Sequence, residues 1–420
     1  MKNDIIVGLD IGSSNIKLVI AQKKFDFNEE KTHIIGAVSY PSAGIGKNGT
    51  INSIEDAVSS LSACLEKAER LVGIPISSVW LSFNHSKIKY ERVKGVAIIS
   101  KSDGEIDQSD IDRAVDSAQS FPVPNNYEIF KTIPVKYNID NNEDVKDPIG
   151  MRGIRLEVEV LVSMILTSQL TNLVKVVQRV GLGIEDVSFP CMKMAKLFLT
   201  SKQLELGVAI VDIGATTTSL AVYEDGVLLH FNTLPIGSEH ITADIALGLK
   251  CPINLAEKIK IEFGDCDASN VSAKDSIDIG DLLKEEKIED EDNIISKKYL
   301  VDIIEARVEE IFEMIDDEFK LVNRSKILPA GVFLSGGGSL LKNIVKVAKK
   351  ELSLPIAFLE PKQARIEVER ATYPDFFSSL ALAISGSNFG DGHNKVNIIG
   401  DNFRDLFGKI NSFVKKIIPK

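Results

Sequence analysis

The sequence predicts an α/β protein built on a duplicated lobe, with a smaller domain inserted between the copies. Three observations carry this. LDIGSSNIKL begins at residue 9 and VDIGATTTSL at residue 211, each placing Asp-Ile-Gly between apolar runs. The same order of strand, tight turn, strand, strand and helix surrounds both. A run of three glycines, Gly336 to Gly338, follows the second copy directly after an apolar strand.

In the first copy DIIVGLD and IKLVIAQ read as strands joined by a Gly-Ser-Ser turn, and THIIGAVSY as a third. SIEDAVSSLSACLEKAERLVG predicts a helix capped by Ser53 and stopped by Gly73, and VWLSF a strand after it. Between the copies, HSKIKYERVKGVAIIS, DQSDIDRAVDSAQS, FKTIPVKYNID and GIRLEVEVLVS read as strand, helix, strand, strand. In the second copy GVAIVDIG, TSLAVYEDG and VLLHFNTLPIG are strands, and TADIALGL opens a helix. Residues 275–292 hold nine acids against two lysines and read as a solvated loop. In GVFLSGGGSLLKNIVKVAKKEL a strand enters the glycines and Ser339 opens a helix. Residues 385–402, rich in Gly, Ser and Asn, read as a flexible linker.

Bulk properties narrow the function. The 420 residues are 44% apolar and 26% charged, with a net charge of −11, which argues against general nucleic-acid binding. The start, MKNDIIVGLDIG, lacks the apolar core of a secretory signal, and no run reaches the roughly 18 apolar residues of a membrane span. Cys64, Cys191, Cys251 and Cys266 form no CxxC pair, so buried thiols in a reducing cytoplasm are expected. His33, His85, His230, His240 and His393 show no metal-ligand spacing.

The chemistry lies in the turns. Gly and hydroxyl residues in a tight turn point N–H and O–H donors at phosphate oxygens. An Asp ending the preceding strand holds Mg²⁺, usually through water. Asp10 with Gly12, Ser13, Ser14 and Asn15, and Asp212 with Gly214, Thr216, Thr217 and Thr218, fit this pattern, with Asp10 and Asp212 the metal candidates. Lys17 either adds a contact to the β- or γ-phosphate or sits on the solvent face of its strand. Gly336, Gly337 and Gly338 let a flat ligand approach the backbone.

Two such hairpins followed by a Gly-Gly-Gly loop resemble the actin–Hsp70–sugar kinase superfamily. Within it, KTIPVKYNID, DPIGMRGIRLE, SEHITADIALGL and AEKIKIEFG, in that order, resemble the bacterial cell-division FtsA family over nearly the whole chain. The resemblance implies an actin-like fold of two RNase H-like lobes, with ATP and Mg²⁺ in the cleft. It implies subdomain 1A over 1–83, 165–199 and a return at 365–384, and an FtsA-type 1C insertion at 84–164 that contacts the next protomer. Subdomain 2A would cover 200–242 and 327–364, and 2B 243–326. Glu257 and Lys260 would face the adenosine, although alone they read as an i, i+3 surface pair. The family's second hairpin commonly runs Asp-Ile-Gly-Gly-Gly-Thr and then another Asp. Here Ala215 and Thr216 replace glycines and Ser219 stands at the Asp, which bears on hydrolysis more than on binding. No residue presents itself as a general base, so weak or absent hydrolysis is expected.

The tail carries a separate signal. Phe403, Leu406, Phe407, Ile410, Phe413, Val414, Ile417 and Ile418 form one helical stripe, and Arg404, Lys409, Lys415 and Lys416 lie opposite. Residues 401–420 hold five basic and two acidic side chains, 5 − 2 = +3. An amphipathic helix on an anionic phospholipid membrane is expected, as the family resemblance also implies. That resemblance further implies self-assembly into filaments at the septum, other division proteins as partners, and docking of the FtsZ C-terminal peptide on 2B. Lys298 and Arg307 are the candidates to read its acidic groups; alternatively Arg307 pairs with Glu305 or Glu310 on its own helix. Two other readings share the fold. A PilM-like pilus-assembly adaptor needs no basic tail, and a small-molecule kinase needs an Asp base and an acceptor pocket.

Overall fold

A computed structural model describes residues 5–26, 29–288, 293–361 and 365–388. The predicted tail helix and residues 389–402 of the predicted linker lie outside them. The described residues divide into two units, one comprising 5–86, 180–226 and 230–388, the other 87–179 with 227–229.

The first unit contains both predicted lobes. One sheet runs, from edge to edge, Arg365–Ile366, Glu29–Pro41, Asn15–Asp26, Ile5–Ile11, Ser78–Ser82, Gly183–Ser188. The other runs Val227–Leu234, Thr218–Glu224, Val208–Ile213, Val332–Ser335, Ile356–Phe358. Leaving aside the two-residue edge strand, the orders are the same: an antiparallel meander of three strands, then parallel strands beside the first. The duplication read from the two Asp-Ile-Gly stretches is therefore a duplication of whole sheets.

Burial explains the local choices. Val7, Leu9, Leu18 and Ile20 are fully or nearly buried, as apolar positions of a covered sheet should be. Gly8 is fixed by close approach: a Cβ there would lie 2.0 Å from the Ser379 carbonyl oxygen. The helix Phe377–Asn388 thus rests directly on the strand Ile5–Ile11. Its small residues allow this, and at Gly386 a Cβ would meet Trp80 Nε1 at 2.5 Å. The helix Ile54–Val72 begins and ends as predicted. Ser53 accepts the Asp56 N–H, and Gly73 takes a left-handed φ of 69°.

The second unit is an antiparallel sheet ordered Lys89–Ile98, Arg155–Leu166, Tyr127–Ile139, Asn142–Val145. The helix Gln108–Ala118 packs on it, capped reciprocally by Asp107 and Asp110. Ile111, Ala114, Val115 and Ala118 meet Leu156, Val158, Val160 and Val162 in one core. The short strand Asn142–Val145 adds to the predicted strand–helix–strand–strand order.

Three segments correct the sequence reading. The acidic stretch is not a loop through residue 288. Ser276–Asp278 pairs with Ile294–Ser296, and Gly280–Glu286 is a helix. Ile277, Ile279, Leu282 and Leu283 are buried, and Lys258 lies 2.9 Å from Glu285 and 2.7 Å from Glu286. The acids occupy the outer face of a segment whose inner face is apolar, a periodicity that charge counting hides. Ser339 does not open an α-helix: Gly337–Leu340 is a 3-10 turn, and the α-helix Ile344–Leu352 starts only after Asn343, at φ 64°. Residues 385–388 are helical rather than linker, because Gly386 and Ser387 pack inside the unit.

Candidate functional site

Both Asp-Ile-Gly turns sit at the end of a central strand and are built alike. Asp10 stands opposite Lys17 across its hairpin, and Asp212 opposite Ser219. The Gly12 N–H donates to the Asn15 carbonyl at 3.2 Å, and the Gly214 N–H to the Thr217 carbonyl at 2.8 Å. A Cβ on either glycine would come within 2.9 Å of that same oxygen. Glycine is therefore a packing requirement at both turns.

The likeness extends to a third strand. Ser82 Oγ donates to Asp10 Oδ1 at 2.5 Å, and Ser335 stands in register beside Asp212, where its hydroxyl favours the ionised carboxylate. Each serine ends a parallel strand, Val79-Trp80-Leu81-Ser82 and Val332-Phe333-Leu334-Ser335. The matching Val-aromatic-Leu-Ser was a sequence signal for both residues, and neither was singled out from the sequence. Ser378, which donates to Asp212 Oδ2 at 3.3 Å, carried no such signal.

The two turns meet. Ser13 Oγ and Thr216 Oγ1 lie 2.9 Å apart. Asn15 donates to Ser14 Oγ at 3.0 Å, and Ser14 is exposed. Thr217 is half-buried. Thr218 differs from its neighbours: it is fully buried and donates to the Ile236 carbonyl at 2.8 Å, so its hydroxyl proton is spent inside the lobe. The glycine loop leans on the second turn. Gly336 has φ 84°, donates its N–H to the Pro374 carbonyl at 3.2 Å, and has room for no Cβ beside Ile213 O, 2.4 Å away. At Gly338 a Cβ would lie 2.5 Å from Ile213 Cγ2. At Gly337 the nearest atom would be Asp375 Cβ, 3.7 Å away. Two of the three glycines thus serve protein packing, and Gly337 leaves backbone open.

Lys260 is more than a surface pair. It is buried, with Nζ 2.6 Å from Glu257 Oε2, 2.7 Å from Thr242 Oγ1 and 3.2 Å from the Ser238 carbonyl. The Ser238 N–H in turn donates to the Gly214 carbonyl at 2.9 Å. Glu257 and Lys260 are therefore tied to the second turn through Ser238. Lys17 is not on a solvent face either. Its Nζ donates to the Asp375 carbonyl at 2.8 Å and lies 3.4 Å from that residue's carboxylate.

The electrostatics suit a cation. Burial raises the Asp10 carboxyl, with Lys17 and the Ser82 hydroxyl opposing and Asp375 reinforcing. Burial and the charge of Asp10 push Asp212 up to about 6, against the Ser335 and Ser378 hydroxyls and Lys17. A buried carboxylate whose affinity for protons is raised by a neighbouring carboxylate, as that of Asp212 is by Asp10, also attracts a metal ion. Among the described residues no three His, Cys, Asp or Glu side chains gather as a metal cage. A cation here would complete its shell with water and phosphate oxygens, as Mg²⁺ does.

The other candidate residues lie on the helix Lys297–Leu321. Lys298 Nζ is 2.8 Å from Asp302 Oδ1 and 3.2 Å from the Ala268 carbonyl. Arg307 binds Asp244 through both carboxylate oxygens, at 2.5 and 3.0 Å, and also Glu310. Glu310 was foreseen as a partner; Asp244, 63 residues away, was not.

Comparison with known proteins places this geometry in context. The family model described as cell division protein FtsA matches residues 209–381, and that of the SHS2 domain inserted in FtsA matches 86–164. Cell division protein FtsA of Pseudomonas aeruginosa is 30% identical over 385 residues, covering 91% of this chain and 89% of its own. That of Borreliella burgdorferi is 31% identical over 388 residues, 91% of each. Among solved structures, the PilM–PilN type IV pilus biogenesis complex aligns with TM-score 0.65 at 16% identity, covering 91% of this chain and 98% of its own. MreB5 of Spiroplasma citri bound to ADP aligns at 0.50 and 12% identity, covering 91% and 100%. The fold is actin-like, with an inserted SHS2 domain.

Proposed function

The chain belongs to the FtsA family of cell-division proteins, and from that premise we propose that it binds ATP with Mg²⁺ between its two lobes. It then assembles with further copies on the inner face of the cytoplasmic membrane and tethers FtsZ filaments there at the septum. The observation that carries the nucleotide reading is the meeting of the two turns. One hydrogen bond joins Ser13 to Thr216, Asp212 feels the charge of Asp10, and the ammonium of Lys17 acts on both aspartates. Ser13, Ser14, Asn15, Thr217 and the open backbone at Gly337 would meet phosphate; Asp10 and Asp212 would hold Mg²⁺ through water. Lys260 and Glu257 would flank the nucleoside, as in the expectation from the family.

The membrane part rests on the sequence of 403–420: eight apolar residues on one stripe and basic residues opposite. Each cationic side chain contributes about 1 kcal/mol near an anionic leaflet. A PilM-like adaptor shares the fold, but a likeness at 16% identity speaks to fold alone.

Calorimetry with ATP and Mg²⁺ tests the first part: saturable uptake is expected, and no uptake by folded protein removes the reading. Co-sedimentation with phosphatidylglycerol vesicles tests the second. Full-length chain should pellet, and chain ending at residue 401 should stay in solution while still taking up ATP. Pelleting of the shortened chain would refute the tether.

A further inference from the structure

The two halves of the site differ in one respect. Across the first hairpin Asp10 is opposed by Lys17, whereas across the second Asp212 is opposed by Ser219. Ser219 is buried and bonds Asn84 and Thr233. Lys17 is therefore the cation that both aspartates feel, and what holds it decides where that charge sits.

Its holder comes from outside both hairpins. The 3-10 turn Pro374–Phe376 presents the Asp375 carbonyl at 2.8 Å and carboxylate at 3.4 Å to Lys17 Nζ, with the Phe376 ring centroid 5.9 Å away. The same turn accepts the Gly336 N–H through Pro374. Asp375 Cβ would be the nearest neighbour of a side chain at Gly337. The Asp375 side chain thus reaches the ammonium of one lobe from a Cβ that lies beside the open glycine of the other.

We infer that Asp375 is a positioning residue that parks Lys17, and that an entering polyphosphate takes the ammonium over from the Asp375 carboxylate. This rests on the nucleotide reading and adds to it an internal competitor. An anionic phosphate oxygen and the Asp375 carboxylate compete for one ammonium. Each costs the other the pairing energy of a partly solvated ion pair. The Asp375 carbonyl stays as a fixed anchor, so the lysine needs only to swing its terminal ammonium.

The inference predicts a gain on removing the carboxylate. Asp375→Asn keeps size and polarity, and should tighten ATP binding by about two- to fivefold. Loss of a negative charge near a triphosphate would do something similar by general electrostatics, so a second background separates the two. In Lys17→Met protein the gain from Asp375→Asn should shrink to that general part, because no ammonium remains to be released. Isothermal titration of ATP with Mg²⁺ on the four proteins gives the cycle, and their thermal midpoints confirm folding. Equal gains in both backgrounds, or no gain in the wild-type background, overturn the inference while leaving the nucleotide reading intact. Absence of ATP uptake by the wild-type chain overturns both.

Discussion

Ser13 and Thr216, separated by 203 positions in the chain, hold their hydroxyls 2.9 Å apart. The contact joins equivalent turns of the two copies, so it reports directly on how the lobes close. A hydrogen bond of this kind contributes about 0.5–1.5 kcal/mol net. Ser13→Ala and Thr216→Val should each lower stability by that order. The double variant should cost little more than either single one, because both remove the same bond. Denaturant unfolding of the four proteins checks this. Additive losses would mean the hydroxyls act separately. ATP affinity should fall by about tenfold in the double variant, since the Ser13 donor to phosphate and the bond that joins the two turns are both gone.

The glycines of the third loop are not equivalent. Gly336 combines φ 84° with a missing Cβ site 2.4 Å from Ile213 O and 2.8 Å from Asp212 Oδ1. Gly336→Ala should destabilise by about 1–3 kcal/mol from backbone strain alone, and more from the clash. Gly337→Ala meets nothing closer than 3.7 Å and should unfold within about 0.5 kcal/mol of wild type, yet weaken ATP binding by crowding the open backbone. Thermal unfolding paired with nucleotide titration separates the two effects. Equal destabilisation would contradict the assigned packing.

These contrasts show where the sequence was informative. The hairpins were legible because Asp-Ile-Gly between apolar runs is a local pattern, and its repetition made both copies visible. The helix Ile54–Val72 was legible because Ser53 and Gly73 mark its ends chemically. By contrast, Ser82 and Ser335 act through strand register, which joins residues 72 and 123 positions from their aspartates. Only a comparison of Ser78–Ser82 with Val332–Ser335 would have revealed them. Asp375 and Asp244 reach Lys17 and Arg307 across 358 and 63 positions, and no periodicity encodes such pairings. The acidic stretch misled because charge was weighed before spacing, and four buried apolar residues set the local structure there.

Protonation of Asp212 makes cation binding depend on pH. Its folded value, about 6, stands above its ordinary 3.8, raised by burial and by Asp10. The sign follows from linkage. Without a metal, protonation favours the fold, so this contribution is fully present below about pH 4 and is lost as pH rises through 6. A bound cation favours the carboxylate and reverses the effect. Uptake of Mg²⁺ with ATP should therefore release protons near pH 6, and release should diminish by pH 8. Calorimetry at pH 6 in buffers of different ionisation enthalpy measures the proton count. Asp212→Asn should abolish most of it. A count that is the same in that variant would place the titrating group elsewhere.

Arg307 and Lys298 give different tests of the proposed FtsZ-peptide surface, because their present partners differ. Arg307 is mostly covered, its side chain 24% exposed, and binds both oxygens of Asp244. Arg307→Glu would leave Asp244 and Glu310 facing a third carboxylate, and should lower stability by about 2 kcal/mol or more. Any loss of peptide binding in that variant mixes folding with recognition. Lys298 makes an i, i+4 pair with Asp302 at 2.8 Å on a more open surface, a contact contributing only about 0.3–0.5 kcal/mol. Lys298→Glu should leave the thermal midpoint within about 2 °C of wild type. It should weaken an acidic FtsZ C-terminal peptide by about fivefold or more, with the effect shrinking as salt is raised. Fluorescence anisotropy at two ionic strengths reads both quantities. Unchanged affinity at low salt would remove Lys298 from the surface. Tighter binding in Asp244→Ala, with the rest of the chain wild type, would show that Arg307 must leave Asp244 before it can reach the peptide.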